Sequence, residues 1–295
     1  MILTAGLDYS RAHMRSSGGF ILEPLDTLTA WVEAFDWESL PIMGATAAEI
    51  EQLRKVEDDI DAHRLADVIF KDPFMTVKLF AYLAKRRPGR EDTVPETVTG
   101  CLLMLGIPPF FSKFKNLQTV ESILSLEPVA VDGLGAVLSR SRRASDFALA
   151  FAVHRMDHDA QLIHSAALLH EFTEMLLWLR APRLASEISR RQRILPRLRS
   201  ADAQRAVLRV TLAELQQALT RRWHLPEALT SLLNPDLTGS SAQALTVELA
   251  TRFARHSAKG WDNPAIPDDL RDISELLQIG LEPTEHLLAE IDGPD

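Results

Sequence analysis

The sequence predicts an all-α fold, on three observations. Apolar residues recur at helical spacing along nearly the whole chain, as in Ile50, Leu53, Val56 and Ile60, which lie three or four residues apart. Alternating apolar and polar runs, the mark of a half-buried strand, are scarce. The breaks between apolar stripes carry helix punctuation, proline after an N-cap residue and glycine after the last apolar turn. With 295 residues, 46% of them hydrophobic, the chain buries roughly three quarters of the surface it exposes when unfolded. It needs neither disulfide nor metal merely to fold, and its composition excludes wholesale disorder.

Taken in order, residues 1–39 read as a lead-in, loosely structured to about residue 45, with Trp31, Phe35 and Trp37 as apolar anchors. After the stripe from Ile50 to Ile60, Leu65, Val68 and Ile69 continue the pattern. Asp72-Pro73 then reads as an N-cap with proline at the first helical position, where its missing N–H costs nothing. Val77, Phe80, Tyr82 and Leu83 form the following stripe. Thr93-Val94-Pro95-Glu96 has capping-box spacing. Gly106 follows Leu105 as a helix-ending glycine, with Pro108 and Pro109 preventing continuation. Further stripes run through Phe147 and Phe151, Leu162 to Leu169, and Leu176-Leu177, and Pro226 restarts a helix after Trp223-His224-Leu225. Loops are expected at 86–93, 128–135, 235–241 and 262–268. No repeat or low-complexity tract stands out.

The net charge of -9 is unevenly spread. Residues 180–222 hold 11 Lys+Arg, all arginine, against 3 Asp+Glu, while the flanking regions are acidic. Arginine suits carboxylate and phosphate recognition, so Arg190, Arg191, Arg193 and Arg197 are candidates for binding an anion or an acidic partner. The simpler account docks the block on acidic parts of the same chain or leaves it in solvent. The block lacks interleaved aromatics and the chain is acidic, which argues against nucleic acid. No run is long and apolar enough to span a bilayer, and the first residues lack the pattern of a signal peptide. A cytoplasmic protein with no membrane partner is expected. The single cysteine, Cys101, excludes an intramolecular disulfide and a four-thiolate zinc site. Among apolar neighbours it reads as a buried, unreactive thiol.

Three stretches, in this order and spacing, resemble the HDOD family, output-type relatives of the HD phosphohydrolases. LADVIFKDPFMTVKLFAYLAKR (65–86) is similar to that family's "I..DP.L..KLL..AN" helix pair, with Asp72, Pro73 and Lys78 in matching places and the usual asparagine absent. VPETVTGCLLMLGIPPFF (94–111) carries Leu105-Gly106 as its "LG". AALLHEFTEMLLWL (166–179) and AELQQALTRRWHLPEAL (213–229) match through Leu169-His170 and Trp223-x-Leu225-Pro226. The resemblance covers roughly 35–235. It implies a multi-helix HDOD/HD-like bundle in two packed lobes, 40–135 and 136–235, closed by a helical extension over 236–295. It also implies a bacterial regulatory module without the full set of HD metal ligands.

An HD hydrolase needs several His and Asp ligands to hold metal and activate water. Here the dyad position reads His170-Glu171. Thr173 or Glu174 stands where the family places glycine, and counting back from Trp223 to the next family histidine gives Leu212. No histidine precedes His154 on the helix around 139–151. His154, Asp157 and His158, at i, i+3 and i+4, could share a helix face and bind a transition metal, though the polar end of a helix is the simpler account. The metal candidates are thus His154, His158, His170 and Glu171. The simpler account of His170 is packing inside the bundle, and of Glu171, Glu174 and Glu214 a helix-face charge or a pair with the arginine block.

The expected function is a non-catalytic signalling module that needs no cofactor. It would act through a signalling protein partner or a nucleotide second messenger, with homo-oligomers left open and with input and output supplied by other chains. The alternatives are a residual HD-type phosphohydrolase using His170 and Glu171 with His154 or His158, and a nucleotide or anion sensor built on the arginine block.

Overall fold

A computed structural model describes residues 19–86, 89, 94–237 and 241–293. The elements among them are helical. The first, α1 (Leu28–Glu33), starts at Thr27, whose hydroxyl accepts the Ala30 N–H. Trp31 on α1 is fully buried, and its indole N–H donates to the Leu208 carbonyl at 3.1 Å. The Ile21 N–H donates to the Arg180 carbonyl, and Phe20, Phe35 and Trp37 are buried as well. Residues 20–39 are therefore anchored on the core and not loosely structured. Their anchors meet partners far along the chain, which local periodicity cannot show. Residues 1–18 of the expected lead-in lie outside the described residues.

Helices α2 (Gly44–Arg54), α3 (Ala62–Ile69) and α4 (Pro73–Lys85) follow. Asp72 caps α4 as expected: its Oδ1 accepts the N–H groups of Phe74 and Met75 at 2.9 and 3.0 Å, and Pro73 takes the first helical position. Its Oδ2 reaches further and accepts the Met43 N–H at 2.7 Å. Almost every face of α4 is buried. Inside it, Lys78 donates to the carbonyls of Trp37, Glu38 and Leu40 at 3.2, 2.8 and 2.8 Å. Burial pushes the Asp72 carboxyl up, against its hydrogen bonds, and pulls Lys78 down to about 8. The two charges hold opposite ends of the segment 37–43 onto one helix.

Helix α5 (Val98–Leu105) begins at Thr97, whose hydroxyl accepts the Gly100 N–H. Val94 to Glu96 are not helical, so the capping-box spacing at Thr93, itself outside the described residues, does not mark the helix start. Gly106 adopts φ 82° and ψ 150°, a conformation open essentially to glycine alone. The prolines after it open the next helix, α6 (Ile107–Lys113), as well as preventing continuation of α5. Helix α7 (Val120–Leu124) leads to α8 (Pro128–His154). The expected loop at 128–135 is the first two turns of α8. Pro128 sits where proline favours helix initiation, and Gly133 is in the helix because a Cβ there would lie 2.5 Å from the Trp178 ring. The position expected to separate the lobes, 135/136, falls within this helix.

The remainder comprises α9 (Ala160–Leu169), α10 (Phe172–Arg180), α11 (Pro182–Ile194), α12 (Ser200–Leu208), α13 (Leu212–Arg222), α14 (Glu227–Leu232), α15 (Ala242–His256), α16 (Ile266–Leu277) and α17 (Leu281–Asp292). Helix α8 packs on α9, α10 and α15, and α15 on α9 and α16. A chain of rings joins α4 to this group: Phe74 to Phe172 at 5.6 Å, and Phe172 to Trp223 at 6.2 Å. Arg143 on α8 holds α17 by both oxygens of Asp292, at 2.6 and 2.7 Å. One apolar core runs from Phe20 to Leu288. Among the described residues no helix is long and apolar enough to cross a membrane.

Replacing Asp72 by alanine removes a fully buried N-cap and leaves the part-buried Met43 N–H without its acceptor, so urea unfolding should show a loss of about 3 kcal/mol. Asp61→Ala, which removes only the exposed cap of α3, should cost about 1 kcal/mol. Equal losses would show that the bond to Met43 contributes nothing.

Candidate functional site

His170 closes α9 and Glu171 opens α10, so the pair sits at the turn between two buried helices. Glu171 is 8% exposed. Arg140, from α8, donates through Nε to its Oε2 at 2.7 Å, and Arg255, from α15, donates through Nη2 to its Oε1 at 2.9 Å. Arg140 also reaches Glu174 at 3.2 Å. Burial works against the Glu171 charge, but the two guanidiniums outweigh it and hold the carboxyl below the usual range. Glu174 is pushed the other way, by burial and then by the neighbouring Glu171 charge. His170 has a buried Nδ1 with no hydrogen-bond partner in the protein. Burial pulls its pKa down to about 4, leaving the ring neutral near pH 7.

The turn is tied to α13. Thr173 donates its hydroxyl to the Leu212 carbonyl at 3.1 Å, and Gln216 donates its amide to the carbonyls of Leu169 and His170, both at 3.1 Å. His170, Glu171, Leu212 and Arg255 line a cleft of about 180 Å³. Leu212, found by counting from Trp223, thus does lie beside the dyad. Both Glu171 oxygens already accept from cations, and the neighbouring positions present a leucine and an arginine. This donor set does not fit a divalent ion, which needs several free nitrogen or oxygen lone pairs converging on it.

The HDOD domain family matches residues 40–235. The chain belongs to the HDOD family. Its fold is similar to that of the MmoQ response regulator from Methylococcus capsulatus str. Bath, with a TM-score of 0.64 and 20% identity over 85% of this chain and 98% of that one. A virulence factor from Campylobacter jejuni subsp. jejuni has a TM-score of 0.64 and 17% identity over 90% of this chain and 98% of that one. No curated protein matches the chain.

In this HDOD chain the motif residues Asp72, Pro73, Lys78, Leu105 and Gly106 shape backbone, and Leu169, Trp223 and Leu225 are buried in the core. Pro226 caps α14. The residues that sequence reasoning missed are Arg140 and Arg255. Arg140 looks like one charge in the polar run Ser139–Arg143, and nothing local marks its partner.

Other expectations fare differently. Helix α8 ends at His154 and Met156 takes φ 55°, so His154, Asp157 and His158 do not share a helix face. Among the described residues no three His, Cys, Asp or Glu side chains are grouped to hold a metal ion. Arg190 and Arg191 both pair with Glu187 at 2.7 Å, pulling its pKa down to about 2, while Arg193 and Arg197 are exposed. Arg209 reaches Asp26 outside the block. Glu214 forms the capping box at Thr211 and pairs with Arg205. Glu171 pairs with arginines outside 180–222, not with the block. Cys101 is buried, and burial pushes its thiol pKa up.

Arg140→Met should cost about 3 kcal/mol by leaving Glu171 short of a buried partner, and adding Glu171→Met should recover much of that loss. An additive double variant would show the two side chains to be uncoupled. A second expectation concerns pH. His164, like His170, has its pKa pulled to about 4 by burial, so the unfolded chain, near 6.5, takes up protons first. Urea midpoints should fall as pH drops from about 6.5 towards 4. His170→Gln should make that fall shallower, and an unchanged slope would contradict it.

Proposed function

We propose that this chain is a non-catalytic HDOD regulatory module of a signalling pathway, acting by binding a protein partner or a small ligand. The observation that carries this reading is the occupation of both Glu171 oxygens by Arg140 and Arg255, with Leu212 lining the same cleft. A hydrolase built at this position would need those lone pairs for an ion and a basic group free to activate water. Instead the carboxylate is neutralised by fixed cations, and the arrangement supplies a rigid junction of α8, α10 and α15. A signalling setting is supported by the likeness in fold to a response regulator. The acidity of the chain disfavours nucleic acid as a partner. The arginine block is a weaker basis for ligand binding, because Arg190 and Arg191 already share Glu187.

Protein purified without chelator should show no turnover of nucleotides or cyclic dinucleotides with added magnesium, manganese or zinc. Product formation read by chromatography that requires metal and disappears in His170→Ala would overturn this reading.

A further inference from the structure

A second opening, of about 640 Å³, lies where the turn between α3 and α4 faces α8 and α9. Its volume is in the range of small-molecule sites, roughly 300–1,000 Å³. Phe70 and Lys71 border it from the turn, Arg142, Asp146 and Leu149 from α8, and His164 from α9. The opening therefore lies between segments that belong to different halves of the family match.

The polar groups around it are incompletely used. His164 is 9% exposed, yet its Nδ1 has no hydrogen-bond partner in the protein. Buried polar atoms nearly always have one. The imidazole meets the Phe70 ring edge-on at 5.2 Å between centroids, and burial keeps it neutral near pH 7. Its Nδ1 is sealed from solvent, so the other ring nitrogen is the one that can meet a guest, as donor or acceptor according to tautomer. Its neighbours are already satisfied: Ser145 donates to the Arg142 carbonyl, and Ser165 to that of Gln161. Asp146 feels the positive charge of Arg142 and is pushed up by partial burial. Arg142 spends its Nε on the Lys71 carbonyl at 3.2 Å, which brings the Lys71 backbone and the guanidinium together at one edge.

We propose that this cleft binds a nucleoside monophosphate or a close analogue: a planar nitrogen heterocycle against Phe70, Leu149 and His164, with its anionic group at Lys71 and Arg142. Ring nitrogens and exocyclic amines provide partners for imidazole and carboxylate alike, while the aromatic and aliphatic walls suit a flat face. Lys71 and Arg142 supply two cations for a phosphate, while Asp67 and Asp146 also border the opening and are left to face the donors of the heterocycle. Occupancy would bridge the α3–α4 turn to α8 and α9. This site deepens the regulatory reading above and rests on it for its role, but its test is separate.

The test uses the full chain, with calorimetric titration and thermal unfolding in AMP, GMP, CMP and UMP, and with the matching nucleosides and inorganic phosphate as controls. At least one nucleotide should bind saturably and raise the Tm, and bind at least tenfold more tightly than phosphate alone. Leu149→Trp, at a partly exposed position, fills the opening and should weaken binding at least tenfold while leaving the ligand-free Tm unchanged. Lys71→Glu should weaken it several-fold and flatten its salt dependence. Absence of nucleotide binding, equal binding of phosphate, or full affinity retained in Leu149→Trp would each overturn the proposal. Hydrolysis abolished by His170→Ala would sink the non-catalytic reading instead, and is read in the same samples by chromatography.

Discussion

Taking a carboxylate and an ammonium out of water costs several kcal/mol each unless hydrogen bonds surround them. Helix α4 does this with Asp72 and Lys78, and both find their partners in main chain. The lysine gathers the carbonyls of Trp37, Glu38 and Leu40, and the aspartate takes the Met43 N–H together with two from its own helix. The segment 37–43 has one short 3-10 turn, Trp37–Ser39, and a bridge at Ile42, which leave part of its backbone to be satisfied from elsewhere in a dry interior. The two charges take up carbonyls and an N–H of that remainder, and because each bond is directional they help fix its register on α4. Everything that packs on α4 inherits that placement. Phe74 carries it to Phe172, the first residue of α10, directly after Glu171.

At Glu171 the constraint is of a different kind. Three helices, α8, α10 and α15, meet at one buried carboxylate through two arginines. Replacing such a network with apolar side chains is often neutral for stability, so its value is in geometry. Each guanidinium takes a different oxygen of Glu171, and Arg140 also spans to Glu174, an arrangement that a slid helix would break. The same bonds occupy the lone pairs that metal chemistry would require. Thr173, on α10, ties the site to α13 by donating to the Leu212 carbonyl. Thr173 or Glu174 stands where the family places glycine, and a glycine at 173 could not make this bond.

What the sequence made legible follows from the range of each interaction. The all-α class rests on spacing within single helices, and it holds. Asp72 was readable as a cap because its Phe74 and Met75 partners lie two and three residues away, whereas its bond to Met43, 29 residues back, was not. Leu212 could be placed by counting along α13. Arg140 and Arg255 could not, since they lie 31 and 84 residues from Glu171 and neither stands out from its solvated neighbours. Trp31 misled for the same reason, its partner Leu208 being 177 residues away. One misreading was local. Gly133 and Gly135 suggested a loop, but Gly133 makes room for Trp178. The i, i+3 and i, i+4 pairs of Glu187 with Arg190 and Arg191 were visible in the sequence and already use part of the block's charge.

The contrast between the two clefts turns on which polar groups have spent their hydrogen-bonding capacity. Around Glu171 the carboxylate, both arginines, Thr173 and Gln216 are committed to one another or to main chain, leaving the Nδ1 of His170 as an exception in a cleft of about 180 Å³. Around His164 the opening is about 640 Å³, and the carboxylate of Asp146 borders it without an ion pair among the described residues. A saturated network gains nothing from a guest, because every new bond must break an old one. An unsaturated wall gains a bond for each one the guest offers, and the cost of burying its polar atoms has already been met by folding. The position of the family's dyad is thus less suited to taking a guest than the cleft around His164, which the motifs do not mark.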